Sequence, residues 1–139
     1  MSSKIKRPLK IEKPCTNCFT PQYLKFNFSY TENIDSINKE YKARMLDVMM
    51  RLSAASYIRV LQYPKNIGLE IEDKDKLNIA KEYPKSFLSR FAISQYNNKV
   101  AIIRLYSNDN PILGRIIGTI IKNVFYVFFV DIGGKFYKH

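Results

Sequence analysis

Apolar and polar residues change rhythm several times along this chain. In residues 22–30, QYLKFNFSY, they alternate, with Leu24, Phe26 and Phe28 against Lys25, Asn27 and Ser29, and that period of two predicts a strand. TENIDS breaks the alternation, and Asp35 or Ser36 is suited to cap a helix running to about Ala55. Within it Ile37, Tyr41, Met45, Val48, Leu52 and Ala55 recur at spacings of three and four, one core-facing stripe with Lys39, Lys42, Arg44 and Arg51 largely outside it. SYIRVLQYP predicts a second, short helix stopped by Pro64.

The next stretch, NIGLEIEDKDKLNIAKEYPK, is less regular and predicts a short strand around residues 69–71 and then a charged, exposed segment. From Phe87 onward the pattern is β. FLSRFAISQ and KVAIIRLY flank Asn97 and Asn98, which tolerate the backbone of a tight turn. LGRIIGTII and VFYVFFVD flank Lys122 and Asn123, and Gly133 and Gly134 lead into KFYKH. The order is strand, two helices, then an antiparallel meander, an α+β chain with one domain over residues 22–139. Residues 1–21 read as a basic arm with Pro8, Pro14 and Pro21 and no sustained period.

Charge narrows the class of partner. Lys and Arg number 23 against 12 Asp and Glu, a formal charge of +11, more than solubility asks of a small domain. Such a balance suits RNA, DNA, an acidic protein or an anionic surface, or else a lysine-rich but ordinary exterior. In PILGRIIGTIIKNVFYVFFVDI the charges of Arg115 and Lys122 argue against a membrane span. No apolar leader core follows MSSKIKRPLKIEK, so a cytoplasmic protein without a membrane partner is expected. Cys15 and Cys18 have the spacing of half a zinc site, but no second pair completes it. Reduced thiols are the simpler expectation. The five glycines form no phosphate-binding loop, and no metal or cofactor is called for.

The helical pair over residues 36–62, followed by RFAISQ, KVAIIRLY, GRIIGTIIKNVFYVFFVD and a closing KFYKH, resembles the RelE/YoeB/HigB-type toxins, ribonucleases of bacterial toxin–antitoxin systems. The likeness lies in the order of elements over about residues 22–139 and in basic strands leading to a terminal Tyr and His. It implies a RelE-like fold, an endoribonuclease cutting mRNA, possible docking to the ribosome, and an acidic antitoxin as partner. The arm with its two cysteines has no counterpart in that pattern.

Cleavage through the ribose 2′-hydroxyl needs a proton acceptor, a proton donor and fixed cations around the developing charge. The candidate cations are Arg90, Arg104 and Arg115, each in an expected strand. Arg104 and Arg115 interrupt apolar runs, so each either clamps a phosphate or pairs with Glu70, Glu72 or Asp131 inside the fold. Tyr137 and His139 are two apart and share a face if KFYKH is a strand. The resemblance casts them as acid and base, and Glu70 or Glu72 as a carboxylate base. Lys122, Lys135 and Lys138 are candidates for substrate binding. The competing reading is a non-catalytic basic module that binds nucleic acid or an acidic protein, with His139 a solvated last residue.

Overall fold

The computed structural model describes residues 21–32, 34–73, 84–88, 90, 99–105 and 113–133. It is an α+β fold around a five-stranded mixed sheet. The elements are β1 (Lys25–Asn27), α1 (Lys39–Ser53), α2 (Tyr57–Leu61), β2 (Leu69–Asp73), α3 (Lys85–Leu88), β3 (Lys99–Arg104), β4 (Gly114–Ile121) and β5 (Val124–Ile132). In space the strands run β1-β5-β4-β3-β2. β2 to β5 pair antiparallel, and β1 joins the edge parallel to β5.

The two helices form where their periodicity predicts, with different caps. Residues 34–36 make one 3-10 turn, and Asn38 caps α1, its side chain accepting from the Tyr41 backbone N–H at 2.9 Å. Ser56 caps α2, which ends at Leu61, three residues short of Pro64. Met45, Val48 and Leu52 on α1, with Ile37 just before it and Val60 on α2, are buried against one face of the sheet. That face supplies Leu69, Ala101, Ile103, Leu105, Ile116, Phe125, Val127 and Val130.

The expected strand from Phe87 is corrected at its start. Phe87 lies in the single turn α3, and Arg90 sits in the turn behind it, its N–H donating to the Phe87 carbonyl at 3.0 Å. The antiparallel partner of β3 is β2 instead, with Glu70 opposite Ile102 and Glu72 opposite Val100. Phe87 is an anchor for the second sheet face, its ring edge-on to Tyr30 and Phe128 at centroid distances of 5.4 and 4.9 Å. The hairpin expected at Asn97 and Asn98 lies outside the described residues.

One irregularity decides which way the end of β5 faces. The register runs from Ile117 opposite Phe129 to Gly118 opposite Val127, leaving Phe128 as an extra residue in a β-bulge. Phe128 and Phe129 therefore both reach the second face, while Val127 and Val130 stay with the helices. The N–H of Glu32 satisfies the Phe128 carbonyl at 2.8 Å. Gly118 is required opposite the bulge because a Cβ there would lie 1.9 Å from the Tyr126 carbonyl oxygen.

Candidate functional site

Past the bulge, β5 turns Asp131 to the second face, opposite Arg115 on β4, which is itself opposite Arg104 on β3. Facing side chains on adjacent antiparallel strands lie about 5 Å apart at their Cβ atoms, so the three form a row across the sheet. Glu70 enters diagonally from β2. Its Oε1 is 3.5 Å from Arg104 Nη2, and its Oε2 is 3.8 Å from Lys65 Nζ. Glu70, Arg115 and Asp131 are buried, whereas the Arg104 side chain remains 23% exposed. Two guanidinium groups and two carboxylates thus balance in charge at one end of the face, which is what makes their burial tolerable.

α1 is stitched to the same end. The Tyr41 hydroxyl donates to the Leu113 carbonyl, and the Gly133 N–H donates back to the hydroxyl at 3.2 Å. Arg44 Nε donates to the Leu105 carbonyl at 2.5 Å. Periodicity places Arg44 outside the apolar stripe. Its position three residues after Tyr41, on the border of the stripe, is the one signal for its reach across to β3. Together these bonds pin the points where β3 stops, β4 starts and β5 ends.

Among the sequence-derived candidates, the fold therefore brings together Arg104, Arg115 and Glu70. Arg104 takes the ion-pair option that its apolar surroundings left open, yet keeps an accessible side. Glu70, with its side chain 2% exposed, is suited to holding Arg104. Glu72 is half-buried on the same face. Lys122 is at the tip of the β4–β5 hairpin, seven residues on from Arg115 and so about 23 Å away, beyond joint action on one phosphate. Arg90 is exposed behind α3. Lys135, Tyr137, Lys138 and His139 lie outside the described residues, as do Cys15 and Cys18. Among the described residues no group of three His, Cys, Asp or Glu side chains gathers as a metal ion would need. Among them, too, no helix is long and apolar enough to cross a membrane.

Among the described residues, two titrations depart from their ordinary values. Burial pushes the Tyr57 phenol up, and the Asp73 carboxylate, hydrogen-bonded to Lys99 at 2.5 Å, raises the Lys99 ammonium. Neither belongs to the charged end of the sheet. No family model, curated protein or solved structure matches this chain.

Proposed function

We propose that this chain acts on RNA as an endoribonuclease of toxin type, with the charged end of the sheet as the base of its site. The observation that carries the reading is the half-open Arg104, held by Glu70 at the sheet end where β5 finishes. Gly133, at φ 83, directly follows β5, and its N–H donates to the Leu113 carbonyl at 3.2 Å. Tyr137 is four residues further on and His139 six, within reach of roughly 14 and 20 Å at full extension. In this reading His139 and Tyr137 exchange the protons of 2′-hydroxyl attack and leaving-group departure. Arg104 faces the phosphate whose charge grows in the transition state, and Glu70 keeps that guanidinium in place.

A specific observation favours a second reading. Arg115 is only 3% exposed and Arg104 is already engaged with Glu70, so these two arginines can serve as sheet structure alone. The chain is then a basic module that binds RNA, or an acidic protein, without cutting it. A protein partner of that kind fits the apolar groove of about 270 Å³ between Phe28, Ile37, Met45 and Met49, where Lys42 supplies positive charge.

The deciding experiment incubates the purified full chain with labelled RNA in EDTA, beside Arg104→Ala and Tyr137→Phe/His139→Ala. Cleavage leaving 2′,3′-cyclic phosphate ends, lost in both variants at unchanged folding, supports the ribonuclease. Salt-sensitive binding without new ends in any of the three proteins refutes it in favour of the module.

A further inference from the structure

A second concave site lies on the side of the helices, between the entry to β1 and the α1–α2 junction. Tyr23, Arg51, Arg59 and Tyr63, with Ser56 and the small residues of the α1–α2 junction, line an open pocket of about 590 Å³. That volume suits a nucleotide-sized group. β1 enters the sheet here, opposite Val124, seven residues along β5 from Asp131 and so about 23 Å from it, while Tyr63 on the other wall packs against Gly68, two residues before Glu70.

Its walls combine two kinds of contact. Tyr23 exposes 48% of its surface while its backbone is fixed from several sides. Its carbonyl accepts from Asn123 Nδ2 at 2.7 Å, it forms an isolated bridge with Ser56, and the preceding Gln22 carbonyl accepts from the Tyr57 N–H at 2.7 Å. A large aromatic ring held in solvent on a pinned backbone offers a stacking platform at little ordering cost. Arg51 is steadied at the rim by donating from Nη1 to the Ile67 carbonyl at 2.5 Å, and Arg59 is exposed on α2. Among the described residues no carboxylate belongs to the lining. Tyrosine faces beside guanidinium groups are the pairing that holds single-stranded nucleic acid, base on ring and phosphate on cation.

We infer that this pocket binds one nucleotide unit of a single-stranded RNA, its base stacked on Tyr23 and its phosphate on Arg59 and Arg51, as an anchor on the face of the sheet opposite the charged row. The inference rests on RNA being the partner, and not on whether the chain cuts it. An acidic peptide would use the arginines but would leave the tyrosine faces without a planar partner.

The test measures binding of the full chain to a fluorescent single-stranded 2′-O-methyl oligouridylate, which lacks the attacking hydroxyl and so reports binding whatever the outcome for cleavage. Expected for Tyr23→Ala is a loss of about 5- to 150-fold in affinity, the range for one stacked base, with an unchanged salt slope. Tyr23→Phe should bind as wild type. Arg59→Ala should weaken binding and lower the slope of log K against log salt by about 0.7, one phosphate's worth for a single strand. Far-ultraviolet circular dichroism and melting temperature check that each variant is folded. Wild-type affinity in folded Tyr23→Ala or Arg59→Ala overturns the inference. So does loss in Tyr23→Phe equal to that in Tyr23→Ala, or loss of polyglutamate binding with oligonucleotide binding intact.

Discussion

Replacing Glu70 by Gln tests whether the charged end of the sheet is a working arrangement of charges. The carboxylate has a side chain 2% exposed and faces Arg104 at 3.5 Å and Lys65 at 3.8 Å. With an effective dielectric of about 20, two unit charges 3.5 Å apart attract by roughly 4.7 kcal/mol. Desolvating Glu70 opposes much of that attraction, and the 23% exposure of Arg104 lets water screen the rest, leaving a net coupling of about 2 kcal/mol. The assay is a double-mutant cycle of Glu70→Gln and Arg104→Met by urea unfolding, each single variant alone and both together. Glu70→Gln alone should lose about 2 to 3 kcal/mol, because it leaves the guanidinium facing a neutral amide, and Arg104→Met should recover part of that. A coupling below about 0.5 kcal/mol would mean that the two groups do not depend on each other, and the account of how Arg104 is positioned would fail.

The bulge gives a second expectation: Gly118→Ala must push the β4 and β5 backbones apart, since the obstructing atom at 1.9 Å is the Tyr126 carbonyl oxygen, and a loss of about 2 to 4 kcal/mol in chemical denaturation is expected. A loss under about 0.5 kcal/mol would show that the register shift is absent. Lys122, at φ 61 in the β4–β5 turn, holds a left-handed backbone that costs a side-chain-bearing residue about 1 kcal/mol, so Lys122→Gly should raise stability by about 0.5 to 1 kcal/mol, read as a higher melting temperature. Tyr57 gives a pH dependence. Its folded pKa is raised by burial above the ordinary 10.0, so the folded state holds the proton more tightly than the unfolded one. The resulting stability is complete below pH 10 and is lost as the pH rises through the folded value. The alkaline fall in melting temperature should be smaller in Tyr57→Phe, and an identical profile in both proteins would contradict it.

Much of the secondary structure is legible along the chain, and the candidate site only in part. The stripe through Met45, Val48 and Leu52 and the β-branched run IIGTII are local patterns, so α1 and β4 follow from the order of residues alone. The interruption of two apolar runs by Arg104 and Arg115 marked them as needing a partner. The choice among Glu70, Glu72 and Asp131 depended on strand register. Phe87 shows the limit in the other direction: an aromatic in a β-like run was drawn into a helical turn because the sheet offered Tyr30 and Phe128 to pack against.

By itself the order of residues determined the α+β class, the amphipathic helix, the β4–β5 hairpin and the excess of positive charge, because each of these depends on spacing or composition over short stretches. Only the tertiary structure decided that β2 and not the segment after Phe87 flanks β3, that β1 lies parallel to β5, and that the extra residue Phe128 turns Asp131 toward Arg115. The pocket between Tyr23 and Arg59 likewise joins residues from the segment before β1, from α1 and from α2. These features depend on contacts between residues far apart in the chain, where a shift of one position reverses the face a side chain presents.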